Sequence, residues 1–326
     1  MNCIICSKDA DATGSHIVPA SLIQNCVGKH YKEESYSIDA ENAEIGVYFG
    51  RDNLKNTSTE IKENHYKEDH ILCQECEDNL AKIESEFSTN FLQKFREERF
   101  KQNFRIVATE QGTEILTPTK FDNKKIYFYL YSIIFRFCMD SGRKDGSFFL
   151  NADQLESIRL YLNEYMYGDK KAAEKYLQDF HLVITFDKNN SNGSFVASAN
   201  EFQNPYIFYF CEPILLLFVG KIPEETRKVF GYYTNNIVED NEIKICVNSE
   251  FYASFRNIMT TYLAETFMGN AVMNISKLNG KSYDENLIEF NVEMEKIDDH
   301  DSERAIKTYH FLLNKYNGSS QTPQLE

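Results

Sequence analysis

The feature that most constrains this chain is a pair of C-x-x-C motifs set far apart. Cys3-Ile-Ile-Cys6 lies at the start of the sequence, and Cys73-Gln-Glu-Cys76 follows much later. Two residues between thiolates let one tight turn direct both sulfurs to a single zinc ion, about 2.3 Å away, and two such turns close a tetrahedral site. We therefore predict a structural Zn²⁺ bound by Cys3, Cys6, Cys73 and Cys76.

The segment between the two motifs, residues 7–72, is much longer than the roughly 15–20 residues of a compact zinc ribbon. This length favours a zinc site that carries a functional insertion. The alternatives are two unrelated cysteine pairs or a redox motif, and a redox motif of the thioredoxin type needs a βαβ context that the sequence does not show.

The use of cysteine also indicates a compartment. The chain has eight cysteines, and its first residues lack the charged and apolar regions of a secretory signal. No stretch offers the roughly 18 uninterrupted apolar residues of a membrane span. We expect a cytoplasmic protein without a membrane partner, in which the cysteines outside the two motifs act as small packing residues: Cys26, Cys138, Cys211 and Cys246.

The pattern of the chain predicts an α+β protein with two parts. A polar N-terminal module, residues 1–105, ends in a helix over 78–102, where Leu80, Phe87 and Phe95 belong to one apolar stripe. A larger α+β region, residues 106–316, follows, and residues 317–326 form a polar tail with nothing to bury. The apolar run at 124–139 suits a central buried helix, although its many β-formers leave a strand open.

Further elements are predicted from local signals. Pro19 at a helix start and Gly28 beyond its end predict a short helix over 19–26. Helices are also expected at about 153–165, 170–180 and 251–268. Strands are expected at 104–109, 181–186, 195–198, 206–210 and 243–247, whereas 215–219 fits either a strand or a helix.

Four histidines lie between the two cysteine motifs, and the first of them is in Ser15-His16-Ile-Val-Pro19. The second motif runs directly into the long helix as Cys76-Glu77-Asp78. In this order of parts the first 90 or so residues resemble the HNH, or ββα-metal, nuclease family in its treble-clef form. The resemblance implies a zinc-stapled treble-clef module in which His16 is the general base. It also implies that Glu77, at the helix start, binds a catalytic Mg²⁺ or Mn²⁺, with His70 as a further candidate ligand.

Three positions depart from the family pattern. Ser15 stands where the family usually has a metal ligand before the base, and Glu77 stands where it usually has histidine. Glu68 stands where the family commonly has asparagine, and Glu68 and its neighbours Asp69 and His70 are candidate substitute ligands. Coordination needs the right number of ligands in the right geometry. A module that has lost catalysis is therefore an alternative to an active one.

A nucleic-acid substrate would need a local basic surface, because the net charge of −15 repels phosphate. One stretch, 94–105, interleaves aromatic side chains with the cations Lys94, Arg96, Arg99, Lys101 and Arg105. It is a candidate backbone-binding segment. The alternative is that these cations complement the dipole at the end of a helix while the phenylalanines belong to the core.

The leading hypothesis is a metal-dependent endonuclease that hydrolyses phosphodiester bonds, with DNA favoured as the substrate. The region 106–316 would then sense, oligomerise or bind a regulatory protein. The resemblance places such layouts in bacterial anti-phage defence. The alternative is a zinc-stabilised adaptor that recognises a protein partner.

Overall fold

The computed structural model describes residues 1–22, 35–40, 43–48, 67–110, 112–144, 146, 149–186, 196–198, 202–298 and 304–317. Its contacts divide the chain into two compact units. The first contains Met1–Glu33 and Phe49–Asn257, and the second contains Glu34–Tyr48 and Ile258–Glu326. These units differ from the predicted regions 1–105 and 106–316, whose boundary stays a prediction. The mixture of helices and strands confirms the α+β class.

The described strands of the first unit lie in a two-stranded sheet and a seven-stranded sheet. The two-stranded sheet pairs β1 (Ser15–His16) with β4 (Lys67–Glu68). The sheet has the order β5-β6-β11-β7-β10-β9-β8, with β5 (Phe104–Ala108), β6 (Glu114–Pro118), β7 (Phe180–Phe186), β8 (Val196–Ser198), β9 (Tyr206–Phe210), β10 (Pro213–Val219) and β11 (Ile245–Val247). All its neighbours are antiparallel except β11 and β7. The segment 215–219 is therefore strand.

The long N-terminal helix begins earlier and ends earlier than its apolar stripe predicts. Helix α1 (Gln74–Phe87) starts directly after Cys73, whose side chain caps it by accepting from the Cys76 N–H. A π-helical turn, Ser88–Leu92, leads into α2 (Gln93–Arg96). Glu97 is extended, which ends the helix, and a 3₁₀ turn at Glu98–Asn103 precedes β5. The stripe is nevertheless buried, and Phe91 and Phe95 contact the ring of Phe186 on β7.

Helix α3 (Asn123–Lys144) forms the centre of the first unit and is buried around most of its surface. The helix interpretation of 124–139 is thus confirmed, because burial on all sides overrides the β propensity of its aromatic residues. The remaining helices of this unit are α4 (Ala152–Tyr167), α5 (Lys170–Ala173) with a 3₁₀ turn at Glu174–Leu177, and α6 (Glu224–Phe230).

Helix α7 (Ser249–Asn279) begins in the first unit and continues into the second. It is longer than the predicted 251–268 and ends before Gly280, which has a positive φ of 73°. The second unit adds α8 (Tyr283–Met294), α9 (Arg304–Asn317) and the hairpin of β2 (Ser35–Asp39) with β3 (Glu44–Tyr48). Its core includes Phe267, Ile275, Phe290 and Leu312.

Within the described ranges, no helix has both the length and the apolar character needed to cross a membrane. The predicted short helix is seen only at residues 20–22, and its remainder lies outside the described residues, as does the tail beyond Asn317.

Candidate metal centre and the adjoining histidine

The two cysteine motifs come together as predicted. The ligand atoms of Cys3, Cys6, Cys73 and Cys76 all lie within 4.8 Å of one another, and the Cys6 and Cys73 sulfurs are 3.5 Å apart. Sulfurs bound to one tetrahedral zinc at about 2.3 Å would be roughly 3.8 Å apart. The four thiols therefore fit a zinc-type ion, and their number leaves no open position for substrate.

Backbone hydrogen bonds hold the two motifs in place. The first turn closes when the Ser7 N–H donates to the Cys3 carbonyl over 3.0 Å. It is joined to the second motif by a 3.0 Å bond from the Ile4 N–H to the carbonyl of Ile71, and by one of the same length from the Ala12 N–H to Leu72. The centre thus depends on backbone hydrogen bonds between two segments that are distant in sequence.

The thiols influence one another strongly. Hydrogen bonding with the Cys76 thiol, aided by backbone N–H groups, lowers the pKa of Cys3 to about 4 against the opposing effect of burial. The same interaction, followed by burial, raises the pKa of Cys76. The Cys3 thiol therefore loses its proton more readily than the Cys76 thiol, and the thiolate is the form that binds metal.

A second set of side chains surrounds the sulfurs. The hydroxyl of Tyr167, the last residue of α4, lies 3.2 Å from the Cys76 sulfur. Lys8 forms a 2.6 Å ion pair with Glu75, which lies inside the second motif, and its ammonium group lies 5.4 Å from the centre of the Tyr167 ring. Arg159 of α4 donates to the Ile5 carbonyl over 2.7 Å. Residues from α4 therefore complete the surroundings of the centre.

His16 lies on β1, where its partner on the neighbouring strand β4 is Lys67. The side chain is half-buried. Burial, with smaller effects of the Lys67 and Arg136 charges, lowers the pKa of the imidazole to about 4. The ring is therefore neutral at pH 7 and can accept a proton, although a base with a lowered pKa accepts it less readily than an unperturbed one.

A buried arginine connects this strand to helix α1. Arg136, on α3, is only 1% exposed. Its guanidinium donates to the His16 carbonyl over 2.5 Å and to Glu84 Oε1 over 2.7 Å, with further bonds to Ser132 on its own helix. Burial raises the pKa of Glu84 even though Arg136 opposes the shift. The sequence analysis missed this pair; the signal was a single arginine within an otherwise apolar run.

Two oxygens are buried and have no hydrogen-bond partner: Ser15 Oγ, next to His16 in the sequence, and Glu77 Oε2 on α1. They belong to the two positions that the family resemblance assigns to metal binding. The charge on Glu77 also contributes to raising the pKa of Glu84, which places both carboxyls in one electrostatic environment.

The described residues complete only one set of ligands. Among them, the four cysteines are the one group of three or more His, Cys, Asp or Glu side chains whose ligand atoms come this close. His70 is exposed, with a positive φ of 60°, and its backbone N–H donates to the Ala12 carbonyl over 2.8 Å. Its neighbour Asp69 accepts from the Gly14 N–H over 2.6 Å. The loop containing His70 is thus bound to residues 12–14, between the first motif and His16.

The cations of the 94–105 segment lie near carboxylates or an aromatic ring. Arg96 forms a two-pronged pair with buried Glu212, with both distances 2.7 Å. The other pairs are Arg99 with Glu97, Lys101 with Glu98 and Arg105 with Glu242, while the ammonium of Lys94 lies 4.1 Å from the centre of the Phe100 ring. A phosphate backbone would have to compete with these partners.

Comparisons of the chain with protein-family models, with curated proteins and with solved structures return no match. The function must therefore be argued from the site itself.

Proposed function

We propose that this chain is an HNH-like nuclease in which His16 takes a proton from the water that attacks a phosphodiester. The observation that carries the proposal is the assembly around the cysteine centre. The two-stranded β1–β4 sheet with His16 and the helix that begins beside Cys76 are connected by one guanidinium, that of Arg136. A paired strand that carries the proposed base, and a helix that starts at the cysteine centre, support a ββα-metal module of the treble-clef kind.

The zinc has a structural role in this proposal, because its four thiolates leave no position for water or substrate. The unpartnered oxygens of Glu77 and Ser15 are the described atoms that would contact a second, hard cation such as Mg²⁺ or Mn²⁺. When bound, such a cation would neutralise charge on the phosphodiester. The residues of this chain would hold the cation and keep His16 neutral, so that the imidazole can accept the proton.

A second candidate function is a zinc-stabilised adaptor without catalysis that binds a protein partner. Two observations favour it. The cations Arg96, Arg99, Lys101 and Arg105 already have carboxylate partners, which weakens an interface with nucleic acid. In addition, the described residues near Glu77 do not supply a group of three His, Cys, Asp or Glu ligands.

The deciding experiment measures cleavage of plasmid DNA and of single-stranded RNA by the full chain with Mg²⁺ or Mn²⁺. The test variant is His16→Ala. The matched control is His310→Ala, which changes an exposed side chain on α9. A general base contributes typically 10²–10⁴-fold to a rate, so His16→Ala should lower cleavage by at least about 100-fold while His310→Ala leaves it unchanged. Zinc content and melting temperature must match the wild type in both variants.

The outcomes separate the two candidates. Cleavage that persists in His16→Ala would remove the proposed base, and a wild type with full zinc content that cleaves neither substrate would leave the adaptor. A further variant, Glu77→Gln, should raise the Mg²⁺ concentration needed for half-maximal cleavage, because a carboxylate oxygen is lost. An unchanged requirement would show that Glu77 does not hold the cation.

A further inference from the structure

The hydroxyl of Tyr167 is directed at the candidate zinc centre from a part of the chain that carries no cysteine ligand. Tyr167 is the last residue of α4 and lies 91 residues after Cys76 in the sequence. Its hydroxyl oxygen is 3.2 Å from the Cys76 sulfur. Cys76 itself is fully buried, and Tyr167 is 39% exposed. The phenol therefore lies at the rim of the centre, where solvent would otherwise approach this sulfur.

A hydrogen bond to the Cys76 sulfur would stabilise the negative charge of the metal centre. Zinc carries two positive charges and the four thiolates carry four negative charges, so the complex has a net negative charge, and burial of that charge is costly. Groups that donate to the sulfurs reduce the cost. The Cys76 N–H already donates to the Cys73 sulfur over 3.5 Å, and a hydroxyl can donate in the same way because its hydrogen rotates freely.

The side chain of Lys8 lies over the Tyr167 ring and connects it to Glu75. The ammonium of Lys8 lies 5.4 Å from the centre of the ring, and the same ammonium pairs with Glu75 over 2.6 Å. Lys8 follows the first cysteine motif and Glu75 lies inside the second. The ring thus rests on a link that joins both motifs on the outer side of the centre.

We infer that Tyr167 is an outer-shell positioning residue of the zinc centre: its O–H donates to the Cys76 thiolate and slows the loss of the metal. Outer-shell partners of metal ligands typically contribute 10–100-fold to metal affinity. Because Tyr167 is partly exposed and provides one bond to sulfur, we expect an effect near the lower end, about 10-fold. The inference concerns metal retention and does not depend on the proposed nuclease activity.

The test compares the zinc-loaded full chain with Tyr167→Phe and with the control Tyr232→Phe, which removes an exposed hydroxyl in the same unit. Zinc transfer to a chromophoric chelator gives the release rate. Tyr167→Phe should release zinc about 10-fold faster, and Tyr232→Phe should match the wild type. Release within twofold of the wild type by Tyr167→Phe would overturn the inference.

A spectroscopic measurement distinguishes a lost hydrogen bond from looser packing. In the Co²⁺-substituted protein, the thiolate-to-metal charge-transfer band reports the electron density on the sulfurs. The band should shift in Tyr167→Phe and stay unchanged in Tyr232→Phe. Faster release with an unshifted band would also overturn the inference, because the effect would then come from packing. Wild-type protein that binds no zinc would refute the centre itself.

Discussion

Removal of the Arg136 guanidinium should destabilise the protein strongly. In Arg136→Met, the carboxyl of Glu84 stays in a buried position without its partner, and the His16 carbonyl loses its donor. Breaking one half of a buried ion pair typically costs about 3–5 kcal/mol, a large part of the roughly 5–15 kcal/mol of a stable domain. The assay is urea unfolding of the zinc-loaded chain at pH 7.

The matched control for this variant is Arg99→Met, because Arg99 pairs with Glu97 at the surface. An exposed pair contributes about 0–1 kcal/mol, so the control should differ little from the wild type. A double-mutant cycle with Glu84→Met isolates the pair, and the coupling energy should reach about 1–3 kcal/mol.

The pH dependence provides a second check. The pKa of Glu84 is raised by burial, so the native state binds this proton more tightly than the unfolded state. The contribution of such a group to stability falls as the pH rises through its native pKa. Arg136→Met raises this pKa further, and acidification from pH 7 to pH 5 should recover part of the lost stability. A cost below about 1 kcal/mol, or additive single effects in the cycle, would refute the reasoning.

Three further predictions concern metal removal, acid stability and the 94–105 segment. Cys73→Ser should bind less than one equivalent of zinc and unfold at lower urea concentration, which metal analysis and denaturation will show. The pKa of Glu289 is lowered to about 2 by Lys281, Lys315 and Tyr316, so its stabilisation is present above the unfolded value of 4.5 and is lost as the pH falls through 2. Glu289→Gln should therefore lower the unfolding free energy by about 1–3 kcal/mol at pH 7, and the difference should vanish near pH 2. Arg96→Met should cost about 2–4 kcal/mol in urea unfolding, because it leaves buried Glu212 unpaired; a value near zero would favour a nucleic-acid role for Arg96.

The cysteine centre was predictable because its signal is local. Each motif positions two sulfurs by one tight turn, so the fold has only to bring the two motifs together to complete the four-sulfur site. Cys73 also explains why the start of α1 was predicted too late. The Cys73 side chain, a candidate metal ligand, also caps the start of the helix. The apolar stripe that begins at Leu80 does not indicate this capping role.

The partners of the charged residues were not predictable, since they lie far away in the chain. Arg96 meets Glu212 across 116 positions and Arg105 meets Glu242 across 137. The order of the strands in the sheet could not be predicted from the sequence either. The parallel pairing of β11 with β7 depends on how the chain crosses from one strand to the other. In the sequence these cations therefore resemble a free basic segment.

The contacts of the cysteine centre indicate that residues 1–105 do not fold independently. Both motifs belong to the same hydrophobic core as α3 and α4. Three polar contacts reach the motifs or β1 from residues beyond 105: Arg136 to the His16 carbonyl, Arg159 to the Ile5 carbonyl and Tyr167 to the Cys76 sulfur. A fragment of residues 1–105 would expose the apolar side chains that pack on α3 and lose all three contacts.

We therefore expect the fragment 1–105 to lose zinc to a chelator much faster than the full chain, and to show no cooperative unfolding transition. A fragment that ends after the sheet and includes residues 1–257 should keep both properties, because it contains the whole first compact unit, together with Glu34–Tyr48 of the second. Circular dichroism with chelator competition will compare the two. If the short fragment retains zinc as the full chain does and melts cooperatively, the centre is independent of α3 and α4, and the three contacts from residues beyond 105 do not stabilise it.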